Sequence, residues 1–507
     1  MKTEDDPGTR RVDPTTARLP PALAAALVFF AGGSVLVLEV VGLRLVAPYV
    51  GVSLQSSSAV IGVALAAIAL GAWTGGRLAD EVGPRRLLPP ALVIAGAMTC
   101  LTLPVVRTAG PSLQHDDAAS ITILAVLAVF APSVCMAGVT PMVIKLQLSD
   151  LARTGTVVGR LSGIGTLGGI MATFITGFVL LAALPTSVIV VSLGLAALVL
   201  GFGLWVGRGH WRRAPFWVVL LGLTSVALPV VTPSPCTVET AYHCARVVDD
   251  PARSTGRLLV LDNLVHSYVD ERDPAYLSFA YVQVIASVAD VASPPGRPLS
   301  ALHIGAGGLT IPRYLAATRP GSVSRVLEID GGVPALDRAR LLPQPVPGVD
   351  VDVGDARVRL AQEQPGSRDL VVGDAFGGLA VPWHLTTREV TAQIARVLRP
   401  NGIYAINVID FPPNAFVRAE VATIEAVFPN VALVGAPDAL AGRAGGNFVA
   451  VASAGELPLA SLSQRIAERG TPVKVAGRDA TRRFAAGSPV LRDDYAPVDQ
   501  LITRQAR

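Results

Sequence analysis

The chain has 507 residues, 51% of them hydrophobic and only 16% charged, and its mean hydropathy of +0.52 is too apolar for an ordinary soluble enzyme. A net charge of +4 is small for this length and argues against a nucleic-acid partner, so the basic residues have a better use in setting membrane topology. Four cysteines (Cys100, Cys135, Cys236 and Cys244) form no zinc pattern, and no metal is expected.

Residues 1–19 are polar, charged and proline-containing and read as a disordered cytoplasmic tail rather than a signal peptide, because no cleavage site follows and more apolar runs do. Residues 20–232 form an expected transmembrane helical domain. A bilayer core needs roughly 20 apolar residues per helix. Seven runs of that kind stand at about 21–48, 58–76, 88–106, 120–143, 157–183, 187–207 and 215–232. Lys2, Arg10, Arg11 and Arg18, then Arg77, Arg85 and Arg86, then Lys145, Arg153 and Arg160, then Arg208, Arg212 and Arg213 fall in alternate loops, whereas the intervening loops carry only Arg107. The bias places the N-terminus in the cytoplasm, and an odd number of spans places everything after Thr232 outside it, in a multi-pass protein of the cell membrane. Cys236 and Cys244, eight apart beyond the last run, would close a small loop in an oxidising compartment. Cys100 and Cys135 lie inside runs and suit packing.

Ionisable groups inside a span are functional candidates by default, which singles out Glu39 and Arg44. The alternative is that Arg44 snorkels to the interface while Glu39 pairs with a neighbouring helix. Gly159, Gly163, Gly165 and Gly169 have the spacing of a close helix contact. The loop Gly75–Arg86 resembles the loop between the second and third helices of major-facilitator transporters through Gly76, Asp80, Gly83 and Arg85, but seven spans are too few for such a transporter, and the same residues suit a helix-end clamp.

After Thr232 the composition turns mixed, with frequent Pro and Gly. Residues 233–290 read as a β-rich preface with strands at Ala245–Val248, at Arg257–Leu261 and in LDNLVHSYVD, then a helix over Tyr276–Val288. Residues 291–507 read as a nucleoside-binding α/β domain, doubly wound, with strands at Val349–Val353, Leu370–Val372, Tyr404–Val408 and Phe448–Ala452. Its opening stretch is ALHIGAGGLTIPRYLAATRPGSVSRVLEID, residues 301–330. Leu302 to Ile304 is a strand, Gly305 to Gly308 a small-residue turn, Thr310 to Ala317 a helix, and a second strand ends on Glu328 and Asp330. That is the first half of a nucleotide-binding βαβ unit, in which small residues admit ligand to the backbone and the acid accepts hydrogen bonds from both ribose hydroxyls.

From Cys236 to Ile502 the chain resembles the spermidine synthase (polyamine aminopropyltransferase) family, and the whole chain resembles its multi-pass membrane branch. The matching residues are Glu239 and Tyr242, LDNLVHSYVD (Leu261–Asp270), HIGAGGLTIPRYLA (His303–Ala316), LEID (Leu327–Asp330), GDAR (Gly354–Arg357), LVVGDAF (Leu370–Phe376), LRPNGIYAINV (Leu398–Val408) and DDYAPVD (Asp493–Asp499). The resemblance implies an S-adenosylmethionine-dependent-methyltransferase-like fold with a small N-terminal β-subdomain. It implies decarboxylated S-adenosylmethionine or another S-adenosyl nucleoside as co-substrate, bound by Gly305, Gly307, Glu328 at the ribose, and Asp355 with Ala356 at the adenine. Asp374 becomes the catalytic carboxylate, taking a proton from an attacking amine such as putrescine. It further implies a small-molecule amine as partner and a homo-oligomer, beside the lipid bilayer.

Three departures oppose polyamine chemistry. Gly308 stands where the family has an aspartate for the aminopropyl amine, Gly377 where it has a second acid, and Phe279, Ala280 and Tyr281 where it has a tyrosine, histidine and glutamate cluster. Besides aminopropyl transfer, two readings stay open: a transferase with a different acceptor, and a non-catalytic membrane protein on the same fold. His303 reads as a core histidine, while His266, His384 and Trp383 flank turns near the crevice. Asp493 and Asp494 add charge to the site if the C-terminal segment folds back.

Overall fold

A computed structural model describes residues 19–115, 117–148, 151–206, 216–342, 344–376 and 381–502. The expected tail, Leu19 apart, lies outside them, as do Arg208, Arg212, Arg213 and Gly377. The chain divides into two compact units, Met1–Cys244 and Ala245–Arg507.

Among the described residues, six helices of the first unit are long and apolar enough to cross a membrane: α1 (Pro21–Val50), α2 (Leu54–Glu81), α3 (Pro84–Leu113), α4 (Ala118–Gln147), α5 (Thr154–Ala183) and α6 (Thr186–Val206). The seventh expected run folds as a shorter apolar helix, α7 (Phe216–Val231), of 16 residues. The helix starts follow local chemistry. Ser53 and Ser56 form a capping box on α2, and the Asp117 carboxylate accepts the Ala119 and Ser120 amides at 3.0 and 2.9 Å at the start of α4.

Glycine brings these helices together. A Cβ on Gly168 of α5 would lie 2.3 Å from the Phe29 carbonyl of α1, and one on Gly75 of α2 would lie 2.5 Å from the Gly138 backbone of α4. Gly165 and Gly169 also face α1, whereas a side chain on Gly159 or Gly163 would meet nothing within 4 Å. Lys145 at the end of α4 pairs with Asp80 and donates to the Ala79 carbonyl at 3.0 Å, so the transporter-like loop is a helix-end clamp here.

Cys236 and Cys244 are disulfide-bonded with their Cα atoms 5.1 Å apart. Within that loop, Glu239 accepts the Ser187 amide at 2.8 Å at the start of α6 and stands 3.9 Å from Arg107. Arg107 donates to the Pro229 and Thr232 carbonyls at 3.0 Å. Arg44 donates to the Thr240 carbonyl at 3.1 Å. Arg44 and Glu239 are therefore struts of this loop.

In the second unit, β1 (Cys244–Asp249), β2 (Gly256–Leu261) and β3 (Leu264–Asp270) form an antiparallel meander in which Val247 faces Leu259 and Leu258 faces Tyr268. Helix α8 (Ala280–Val291) begins later than its apolar pattern predicts, because Phe279 is held in an extended conformation as its N-cap. The described strands that follow form an eight-stranded sheet. They are β4 (Ser300–Ile304), β5 (Val323–Glu328), β6 (Val349–Val353), β7 (Arg368–Gly373), β8 (Leu398–Asp410), β9 (Asn430–Gly435), β10 (Gly446–Ser453) and β11 (Lys474–Ala476). Its order is β11-β9-β10-β8-β7-β4-β5-β6. β10 runs antiparallel to both β8 and β9, and β11 antiparallel to β9. The centre is parallel, and its strands alternate between two cores: Leu302, Ile304 and Val371 face one, Ala301, Leu370 and Val372 the other. This is the doubly wound, methyltransferase-like sheet expected.

The first unit offers a paired test. Replacing Gly168 with Leu drives a side chain into the α1 backbone and should cost about 2 kcal/mol or more. Gly163→Leu should stay within about 0.5 kcal/mol. Thermal unfolding of the two full-length variants in detergent checks this, and equal midpoints contradict it.

Candidate active site at the switch point of the sheet

The chain leaves β4 toward β5 and β6, then returns to place β7 on the other side of β4. Open α/β sheets bind ligands in the crevice this reversal leaves at the strand carboxyl ends. Every residue expected at the site stands on that edge, in the sheet order Asp374, Gly305 to Gly307, Glu328, then Asp355 with Ala356.

Gly305 leaves β4 at φ 98° and donates its amide to the Leu327 carbonyl at 2.9 Å. A Cβ there would sit 2.5 Å from the Asp374 carbonyl oxygen, so β4 and β7 meet at this point only through glycine. The Asp374 amide donates back to the Ile304 carbonyl at 2.9 Å. Gly307, at φ 47°, leaves only 2.4 Å between an added Cβ and Ser267 Oγ of β3. The same hydroxyl accepts the Gly308 amide at 2.9 Å. A Cβ on Gly308 would lie 2.7 Å from Val269, so β3 fills the place of the missing aspartate.

β3 is anchored where it crosses the turn. Burial alone would raise the Asp270 carboxyl, but its bonds to Arg253, Thr255 and the Asp273 and Arg272 amides hold it far below the usual carboxylate range. The Asp270 carbonyl accepts both terminal nitrogens of Arg313 at 3.0 Å, from helix α9 (Thr310–Thr318).

Glu328 ends β5 and is buried. Its Oε2 accepts the Ala306 amide at 2.7 Å and its Oε1 the Asp330 amide at 2.8 Å, which fixes the carboxylate against the glycine turn. Buried Asp337 is pushed up to about 8 by burial and by the Glu328 charge. On the next strand, Asp355 caps helix α10 (Ala356–Gln362) by accepting the Arg357 amide at 2.8 Å. Its other oxygen stands 3.9 Å from His384 Nε2.

Asp374 carries the site's reactive character. Its Oδ1 accepts Asn407 Nδ2 at 3.0 Å and Asn407 Oδ1 accepts Asn447 Nδ2 at 3.0 Å, while the Tyr281 hydroxyl lines the same hollow and donates to the His266 carbonyl at 3.5 Å. Burial pushes Asp374 up to about 6, against the lowering effect of Asn407 and Tyr281. Burial and the Asp374 charge push the Tyr281 phenol well above its ordinary value, so it remains a donor. A hollow lined by Ser267, Tyr281, His303, Gly305, Gly307 and Asp374 joins the turn to this carboxyl. Glu328 meets the turn through the Ala306 amide, whereas Asp355 stands one strand beyond and does not line the hollow.

The other candidates divide. Burial holds His303 down to about 3, so it is a neutral core histidine bonded to Ser324 at 3.2 Å. Trp383 is largely exposed, edge-on to His384. Asp493 is paired with Arg357 and accepts the Thr387 hydroxyl at 2.7 Å, so its charge is neutralised locally. Sequence reasoning did not assign roles to Ser267, Asn407 and Asn447. A polar residue inside the apolar run Ile403–Ile409 was the available signal for Asn407.

The raised Asp374 has a consequence for stability. The folded state holds this proton more tightly than an ordinary carboxyl at 3.8, so its contribution is greatest below pH 3.8 and is lost as pH rises through about 6. The loss is on the order of 1–3 kcal/mol. Asp374→Asn should therefore gain stability relative to the wild type between pH 4 and 7, read as unfolding midpoints of the full chain. A difference that does not change with pH contradicts the assignment.

No protein-family model matches the chain. It is 31% identical over 163 residues to a polyamine aminopropyltransferase of Vibrio vulnificus, a match over 32% of this chain and 52% of that protein. The chain thus spans about half the length of that curated relative. A probable spermidine synthase from Corynebacterium glutamicum aligns at 28% identity and a TM-score of 0.49, over 53% of this chain and 99% of that one. A spermidine synthase from Thermotoga maritima aligns at 16% identity and a TM-score of 0.32, over 52% and 81%. The chain is thus similar over part of its length to a polyamine aminopropyltransferase, and among its described residues it carries six apolar helices long enough to span a membrane.

Proposed function

We propose that the α/β half is a transferase that binds an S-adenosyl-type nucleoside along the carboxyl edge of the sheet and moves an aminopropyl group onto an amine nitrogen. The observation that carries this reading is the Asp374 carboxyl. It is partly buried at the switch point, beside a glycine-rich turn, and held by Asn407. A nucleoside fits these residues: Gly305 and Gly307 expose backbone to it, Glu328 would hold the ribose, and Asp355 with Ala356 would face the adenine. The bound donor, decarboxylated S-adenosylmethionine in this reading, supplies a sulfonium-bound carbon open to attack. Asp374, ionised just above its raised pKa, accepts the proton from the attacking nitrogen, the range in which a general base works best near neutrality. Val269 packed over Gly308 favours a second reading, in which a different group is transferred. Asp374 acts alike in both.

The same proposal puts the chain in the cell membrane with seven spans, its N-terminus cytoplasmic and the α/β half outside. Arg77, Arg85, Arg86, Lys145, Arg153 and Arg160 at alternate loops support this sidedness, and so does the Cys236–Cys244 bridge. Binding as homo-oligomers remains part of the family-based expectation.

Calorimetry of the full chain with S-adenosylhomocysteine tests the nucleoside site. Glu328→Ala should weaken binding at least tenfold, while Asp374→Asn should keep binding and lose about 100-fold or more in transfer rate. No heat in the wild type removes the reading. A membrane-impermeant thiol reagent on intact cells should label Cys236 and Cys244 only after reduction, and labelling only after lysis reverses the sidedness.

A further inference from the structure

Beyond Asp374 the second unit holds a larger chamber of about 520 Å³ that shares Tyr281 with the hollow. Its wall includes Val265, Phe279, Phe376, Ile409 and Val473, and its polar lining comprises His266, Ser278, Asn407, Asn447 and Tyr281. Among the described residues that line it there is no carboxylate. Asp410, the acid next along β8 from Ile409, does not line the chamber. Its carboxylate accepts the Phe411, Phe416 and Val417 amides at 2.8, 2.9 and 3.1 Å, at the start of helix α11 (Ala415–Glu425). Asn407 and Asn447 are committed to each other and to Asp374.

We infer that this chamber takes the acceptor, and that the acceptor is a primary monoamine with an apolar tail, alkyl or aryl, rather than a diamine. The inference rests on the transferase reading above and names its substrate class. One ammonium head is offset by one carboxylate, Asp374. The rest of the acceptor meets aliphatic and aromatic walls, with the Phe279 and Tyr281 rings stacked 6.0 Å apart along one side. Among the described residues a second ammonium would meet no counter-charge on this wall, and burying an unpaired cation is among the costliest steps a binding site faces. The reaction balances with the groups named. Asp374 takes one proton from the bound ammonium, and the freed lone pair forms the new N–C bond as the C–S bond of the sulfonium donor breaks. Sulfur keeps the electron pair of that bond and leaves as a neutral thioether, the product leaves as a secondary ammonium, and Asp374 returns its proton to solvent.

The test compares 1-aminopentane with 1,5-diaminopentane, matched in length, using the full-length protein, decarboxylated S-adenosylmethionine and product detection by mass. The monoamine should be used at least tenfold more efficiently. Phe279→Asp then installs a carboxylate in the chamber at a helix N-cap, where aspartate is a favoured residue. It should shift the ratio at least tenfold toward the diamine and leave S-adenosylhomocysteine affinity unchanged. Equal or better use of the diamine by a wild-type protein that binds the nucleoside overturns the inference and leaves the transferase reading standing. An unshifted ratio in a folded, nucleoside-binding Phe279→Asp also overturns it. If neither amine is used although the nucleoside binds, or if the nucleoside does not bind, the transferase reading falls and takes the inference with it.

Discussion

The candidate site depends on one contact, the backbone of Gly305 against the carbonyl of Asp374. Two parallel strands, β4 and β7, lie side by side although the chain visits β5 and β6 between them, and their ends diverge to open a crevice. Two backbone bonds, from the Gly305 amide to Leu327 of β5 and from the Asp374 amide to Ile304 of β4, fix the turn and the acid to the same sheet edge. Any side chain at Gly305 would have to displace the Asp374 backbone. The geometry of the acid is therefore set by main-chain packing before any side-chain network is counted.

Charge is sparse around this contact, and each site is managed separately. Glu328 is held by two amides, and its charge together with burial raises the pKa of Asp337. Asp374 accepts the Asn407 carboxamide and sits beside the Tyr281 phenol. Burial sets its raised pKa, whereas a lysine or arginine beside it would hold the pKa low and make it a poor proton acceptor. The arginines nearby serve the frame: Arg313 fixes the end of β3 to α9, and Arg357 draws the C-terminal segment to α10.

Much of this was legible in the sequence because the signals are local. The glycine turn, the acid some twenty residues on and the strand pattern of 301–330 are set by backbone sterics and period, and the structure follows them. The cysteine pair was legible for the same reason, eight residues apart in one loop. Less local features were not. Tyr281 reached attention only as a departure from the family pattern, yet it lines the same hollow as Asp374 from a helix nearly a hundred residues earlier in the chain. Glu239 matched the family pattern, and its partners Ser187 and Arg107 make it a helix-end strut. The run at 215–232 was apolar enough to count as a span, and among the described residues its helix, Phe216–Val231, is shorter than the six before it.

Gly308 shows how these departures hang together. A family aspartate at this turn needs room for a side chain, and β3 denies it that room by placing Val269 there and bonding Ser267 to the turn amide. β3 is in turn held by Asp270, whose buried carboxylate is matched by Arg253 and Thr255. The loss of the acid and the tight seating of the strand are one packing solution. Restoring the acid alone would set a charged side chain against Val269. The same economy holds along the chamber wall, where Phe279 and Tyr281 stack on each other. Stacked rings keep an apolar surface without a counter-ion, so recognition there works through shape and desolvation more than through charge.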